Sequence, residues 1–434
     1  MAVSLVFYAW GEELYVFILI ASIVINYSVG LGIDAAGGRN RLWWLWGGIS
    51  GNLLFLGYFK YTGFFLENIG LANAAALTPA LPIGISFFTF QALSYLIDLY
   101  YRRVNVQKNP LNLALYISLF PQLIAGPIVR YAEVEAEILE RKTSRSDVAE
   151  GVQQFVRGLA KKTLVADPMG LVADRVFSIP EAGLTPETAW LGAICYSLQL
   201  YFDFSAYSDM AIGLGRIFGF KFPPNFNYPY RATSVTDFWR RWHMTLSRWF
   251  RDYLYIPLGG NRQSAARTYL NLWIVFLATG IWHGAAWTFI AWGAYHGLFL
   301  IVERLGLGRI LARLPSALQH IYLLLAVICG WVMFRSESFG QATNFYKSMF
   351  QLQSGTMADF YPVGRYLDAY VLCIMAIGIV ASVGFRPWCA AKIAATASPR
   401  IQRLSNEIWF WALFVAAIIS VGAASYSPFI YFRF

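Results

Sequence analysis

The sequence predicts an all-α, polytopic membrane protein with about ten transmembrane helices, on three observations. Hydrophobic residues make up 58% of the 434 and charged residues only 13%, whereas an ordinary soluble domain carries about 45–50% and about 25%. Apolar runs approaching the ~20 residues needed to cross a bilayer recur along the whole chain. Aromatic residues are 18% of the total, enough apolar surface to offset the entropy of ordering the chain. Soluble enzymes and disordered proteins are thereby both excluded. The net charge of +10 fits the cytoplasmic-loop bias of membrane proteins, so no nucleic-acid partner is expected.

The first run, Leu14–Ile33, follows Glu12 and Glu13 and lacks the basic start of a cleaved signal peptide, so it is expected to stay in the membrane. Leu42–Phe59, Leu81–Tyr100 and Leu111–Val129 are the next spans. Tyr131–Arg175 mixes Glu133, Glu135, Glu137, Glu140, Lys161 and Lys162 with Val148, Val152, Phe155 and Leu159, the pattern of helices lying on a surface. Ala189–Leu214 is a further span. Arg231–Arg267 interleaves seven arginines with Phe238, Trp239, Trp242, Trp249 and Tyr253, which places it at the cytoplasmic interface. Leu270–Gly280 is short and ends in glycine, as a broken or re-entrant helix would. Gly284–Val302, Ile321–Phe334, Tyr366–Gly384 and Ile408–Ala424 complete the set. With no repeat of fixed period, residues 1–434 read as a single membrane domain. Cys195, Cys329, Cys373 and Cys389 form no CxxC pair and read as small buried hydrophobes, with neither a disulfide nor a metal site implied.

Ionisable groups at membrane depth are costly, so each is a candidate functional residue. In the stretch Gln199 to Asp209, Gln199, Asp203 and Tyr207 recur every four residues on one helix face, and Ser205 and Asp209 share another. Two readings stay open: a buried hydrogen-bond network joining helices, or the wall of a polar cavity. Trp282-His283-Gly284 stands between two apolar runs. A neutral imidazole there suits proton transfer near neutral pH, although a lone buried histidine is also a common packing residue. Tyr295-His296-Gly297 lies 13 residues on. On one continuous helix that separation is about 20 Å along the axis and about 140° around it. The two histidines therefore share a site only if the helix breaks between them. His320 is expected in a loop after Pro315, facing solvent. GxSxG, HExxH and P-loop motifs are absent.

Phe238-Trp239-Arg240-Arg241-Trp242-His243-Met244-Thr245-Leu246-Ser247, then Arg251-Asp252-Tyr253-Leu254-Tyr255-Ile256-Pro257-Leu258-Gly259-Gly260-Asn261-Arg262, then Trp282-His283-Gly284, resemble in order the membrane-bound O-acyltransferase (MBOAT) family. The bacterial polysaccharide branch, with alginate O-acetyltransferase and the D-alanyl transferase of teichoic acids, is the nearest match. Gly57-Tyr58-Phe59-Lys60-Tyr61, Pro82-Ile83-Gly84-Ile85-Ser86-Phe87, Phe120-Pro121-Gln122-Leu123-Ile124-Ala125-Gly126-Pro127 and the terminal Pro428-Phe429-Ile430-Tyr431-Phe432 agree as well. The resemblance is densest from 82 to 303 and implies an MBOAT-type bundle with added surface or re-entrant helices.

That resemblance implies a catalytic His283, a second polar catalytic position at His243, and a non-catalytic His296. It further implies transfer of an acetyl or similar short acyl group from a cytoplasmic donor, acetyl-CoA, to an exported polysaccharide such as alginate. The transfer would be direct or through a periplasmic acyltransferase partner, in the bacterial inner membrane. His283 would act as general base while His243 orients the thioester or polarises its carbonyl. Arg240, Arg241, Gln199, Asp203, Tyr207, Asp209 and Asn261 are the candidate substrate-binding residues. No bound cofactor or metal is needed, since a thioester is already activated. From other classes, a transporter or flippase, or a scaffold subunit of a polysaccharide export complex, remain as alternatives.

Overall fold

A computed structural model describes residues 1–71, 73–352, 357–385, 388–389, 392, 398–423 and 428–429. Among them there is no strand. The principal helices are α1 (Ala2–Glu12), α2 (Val16–Ala35), α3 (Gly38–Asn68), α4 (Ile85–Tyr100), α5 (Pro110–Ser118), α6 (Tyr131–Leu139), α7 (Arg145–Lys161), α8 (Asp167–Phe177), α9 (Pro186–Ile217), α10 (Val235–Arg241), α11 (Met244–Phe250), α12 (Ala265–His283), α13 (Trp287–Val302), α14 (Ser316–Arg335), α15 (Phe339–Met349), α16 (Ala369–Ser382) and α17 (Pro399–Ala423). By length and composition, Ala2–Ala35, Ser316–Arg335 and Pro399–Ala423 suffice to cross a membrane among the described residues, and the apolar Ala369–Ser382 is shorter. Many large apolar side chains face outward, including Trp43, Leu54, Ile408 and Ile419. Such a surface suits lipid rather than water.

Several elements differ from the sequence expectation, each for a local reason. The apolar stretch Leu111–Val129 is not one helix. Asn109 caps α5 by accepting from the Leu111 N–H at 2.9 Å, and the helix stops at Ser118 because Pro121 has no N–H to give the Ile117 carbonyl and its ring would clash there. A four-residue helix, Phe120–Leu123, follows. In contrast, the Leu270–Gly280 run is neither short nor broken. It is the middle of α12, capped by Ser264 Oγ accepting from Arg267 N–H at 3.3 Å. His320 lies within α14, half-buried, rather than in a loop. Cys195 is buried as expected, but Cys373 is exposed on α16.

The Tyr131–Arg175 stretch departs most. From Arg145 to Phe177, α7, a π-helical turn at Lys162–Ala166 and α8 form one helical path. Its inner side, with Val156, Ala160, Lys162 and Met169, is buried rather than laid on a surface. A reciprocal capping box starts it: Ser144 N–H donates to Asp147 Oδ2 and Asp147 N–H to Ser144 Oγ, both at 3.1 Å.

The described chain divides into two compact units. The first comprises Met1–Val152, Ala211–Pro224 and Arg248–Pro257, around a core that includes Leu19, Phe88, Tyr95, Tyr116 and Phe220. Within it, Trp249 stacks on Phe90 at 3.8 Å and donates Nε1–H to the Phe90 carbonyl. Tyr253 donates to Asp98 at 2.7 Å, and Arg130 pairs with Asp252 at 2.7 Å. The second comprises Gln153–Met210, Asn225–Ser247 and Leu258–Phe434, and its core gathers Phe204, Phe238, Trp242, Trp292 and Trp331. The second unit holds all four histidines.

Candidate active site

Helices α12 and α13 form a tight hairpin, and glycines set how tight. A Cβ on Gly280 would collide with the Phe289 carbonyl, and one on Gly293 with that of Phe276. At the turn, Gly284 ends α12 in an extended conformation, and a Cβ there would strike the Phe289 ring. The helix therefore does break between His283 and His296, and the reversal brings them together. Trp292 lies between them, with its ring centroid 5.1 Å from each imidazole. His283 also meets Trp282 at 5.0 Å and Phe334 at 5.2 Å, and is 7% exposed. His296 is fully buried against Trp239 and Trp292. Neither of its ring nitrogens has a hydrogen-bond partner among the described residues.

His243 sits between α10 and α11 at φ +42°, a left-handed conformation that costs a non-glycine residue of order 1–3 kcal/mol. Asn225 holds it there. Backbone bonds of 2.9 Å run from Asn227 N–H to the Arg241 carbonyl and from Met244 N–H to the Asn225 carbonyl. Asn225 Oδ1 accepts from Thr245 N–H and from the Thr245 hydroxyl, and lies 3.1 Å from His243 Nδ1. Asn225 Nδ2 donates to Ser208 Oγ at 3.1 Å. An atom that accepts from a backbone N–H must be the amide oxygen, so the proton of His243 is assigned to Nδ1 and Nε2 presents its lone pair. That nitrogen is buried with no hydrogen-bond partner among the described residues. His243 touches Trp282 at 6.2 Å, so both imidazoles flank one indole, within electrostatic range of each other.

The polar face of α9 meets two consecutive lysines. Lys161 Nζ pairs with Asp209 at 2.6 Å and lies 3.4 Å from Ser205 Oγ. Lys162 Nζ pairs with Asp203 at 2.7 Å and Asp167 at 2.8 Å. Of the two readings of this stretch, the interhelical network describes Asp203 and Asp209. Lys162 further donates to the Pro428 carbonyl at 3.2 Å, under the Phe429 ring, which meets Tyr207 at 5.1 Å. Ile430, Tyr431 and Phe432 of the terminal motif lie outside the described residues. Gln199 is half-buried beside Gly170, its Oε1 without a hydrogen-bond partner among the described residues.

The other candidates are peripheral. Arg241 pairs with Asp237 at 2.9 Å, Arg240 is exposed at the end of α10, and Asn261 is exposed in the loop before α12. Sequence reasoning missed Asn225, Trp292 and the two lysines. Only the lysines carried a signal, as charges that demand partners at depth.

An all-α membrane fold with two imidazoles buried about one tryptophan defines a candidate centre for proton-coupled group transfer. The model of the membrane-bound O-acyltransferase family matches residues 71–335, which include all four histidines, and the chain belongs to that family. It is a multi-pass membrane protein and an O-acyltransferase. Among its relatives, a probable alginate O-acetylase AlgI of Azotobacter vinelandii is 37% identical, aligned over 100% of this chain and 94% of the relative. A peptidoglycan O-acetyltransferase of Helicobacter pylori is 36% identical over 99% and 90%. A teichoic acid D-alanyltransferase of Bacillus subtilis is 30% identical over 50% and 58%.

Proposed function

We propose that this O-acyltransferase moves an acetyl or similar short acyl group from a cytoplasmic thioester, acetyl-CoA, to a hydroxyl of an exported polysaccharide. The acceptor is an alginate-like polymer, reached directly or through the hydroxyl of a periplasmic acyltransferase partner, and the enzyme resides in the bacterial inner membrane. The pairing of His243 and His283 about Trp282 carries the reading, because acyl transfer to an alcohol needs one group to take the hydroxyl proton and another to hold the donor in place beside it.

His283 accepts the proton as the acceptor oxygen attacks the thioester carbon. The new C–O bond forms, the C–S bond breaks, and the thiolate leaving group recovers the proton. His243, held by Asn225, orients the donor. With Nε2 unprotonated it accepts a hydrogen bond from an N–H or O–H of the substrates, such as an amide N–H of the donor's pantetheine arm, and does not donate to the thioester carbonyl. Arg240 and Arg241, just ahead of His243, attract the phosphates of an anionic donor, while Gln199, Tyr207 and Asn261 are the proposed contacts to substrate. Asp203 and Asp209 contribute by holding α9 in place through their lysines. Membership of an acyltransferase family weighs against the transporter, flippase and scaffold readings, and no observation favours them.

Incubating the purified protein with labelled acetyl-CoA and alternative acceptors tests the assignment of donor and acceptor. Label is expected on a polyuronate or on a partner hydroxyl. Label confined to peptidoglycan or teichoic acid would overturn the acceptor, and turnover only with a non-CoA thioester would overturn the donor.

A further inference from the structure

At the end of α8, a cavity of about 510 Å³ is lined by Leu171, Asp174, Arg175, Ser178, Arg365 and Tyr366. It is separate from the histidine cluster and takes no part in the proposed reaction. Asp174 is occupied by Arg335 at 2.9 Å. Arg175 and Arg365 have no carboxylate partner among the described residues, so the cavity carries two uncompensated positive charges. The helix dipole favours a cation at Arg175, in the last turn of α8. Arg365 ends a short helix ahead of α16. Two guanidinium groups reached from different elements, with Tyr366 beside them, match the oxygens of a phosphate, while the Ser178 hydroxyl already donates to the Asp174 carbonyl at 2.7 Å.

The surroundings indicate what carries that phosphate. Leu171 on the rim is 55% exposed, and α16 begins directly beyond Tyr366 with Tyr370 and Leu372 exposed. Apolar surface thus runs away from the charged mouth along the helix, while arginine and tyrosine mark the level of a membrane interface. A soluble acidic sugar would leave that apolar surface uncovered. A lipid would cover it with its acyl chains.

We propose that Arg175 and Arg365 form a binding site for the phosphate headgroup of an anionic membrane lipid, with its chains lying along Leu171 and α16. The site predicts that the intact purified protein retains phosphatidylglycerol over phosphatidylcholine through delipidation, as read by native mass spectrometry. Arg175→Gln with Arg365→Gln is expected to reduce that preference by roughly five-fold per charge removed. Arg175→Lys with Arg365→Lys, which keeps the charge, retains most of it and controls for folding. Arg157→Gln, on an exposed stretch of α7, leaves it unchanged. Equal retention of both lipids, or a preference that survives the double glutamine variant, would overturn the proposal. So would soluble glycerol phosphate binding as tightly as the lipid, which would make this a site for free phosphate.

Discussion

On the Asn225 side chain, one carbonyl oxygen serves His243 and both donors of Thr245, while the amide reaches Ser208. Asn225→Leu removes the acceptor that three buried donors share. It is expected to cost at least about 2 kcal/mol of stability, read as a lowered melting temperature in detergent, and to reduce turnover by releasing His243 from its strained backbone. Asn225 was invisible in the sequence because Pro223-Pro224-Asn225-Phe226-Asn227 reads only as a loop, and side-chain hydrogen bonds to residues about 20 positions away leave no local pattern. The histidines were legible, since an imidazole between apolar runs is costly unless used. That His296 lies one indole from His283 was not, because it depends on the reversal at Gly284. His296→Phe preserves the packing about Trp292 and is expected to keep transfer within about ten-fold of wild type, whereas removing a general base costs about 10²–10⁴. A larger loss would give His296 a part in the chemistry.

Between elements, Lys162 and Asp203 join the α7–α8 path to α9 with side chains only 8% and 2% exposed. Lys162→Met alone removes the cation paired with a buried carboxylate and is expected to destabilise by about 3–5 kcal/mol, whereas Lys162→Met with Asp203→Asn recovers most of that loss. Additive losses in chemical unfolding would show that the two side chains are not coupled. Counting charges made this path look like surface helices, because amphipathicity does not reveal that a charge has a partner on a distant helix. The α12–α13 hairpin is equally constrained, and Gly293→Ala is expected to cost about 1–3 kcal/mol by driving a methyl group into the Phe276 carbonyl. At the start of α7, the Ser144 hydroxyl and N–H hold the Asp147 carboxyl below its usual pKa. The stability this lends is present above the ordinary carboxylate range and lost as pH falls through the lowered value. Ser144→Ala is expected to move the acid limb of thermal unfolding to higher pH.

For the molecule as a whole, 13% charge in a 58% hydrophobic chain forces most ionisable groups either to the ends of helices or into pairs. The all-α membrane class followed from composition and run length, while the division into two units did not, since no linker or shift of composition marks it. If Arg240 and Arg241 attract an anionic donor, its affinity should fall with ionic strength, and neutralising both should flatten that dependence. The central claim is that His283 performs the transfer, and the most direct measurement is single-turnover acyl transfer from labelled acetyl-CoA by His283→Ala, with donor affinity measured on the same preparation. The expected result is a rate about 10²–10⁴-fold lower with donor binding and melting temperature preserved. A transfer rate equal to wild type would contradict it.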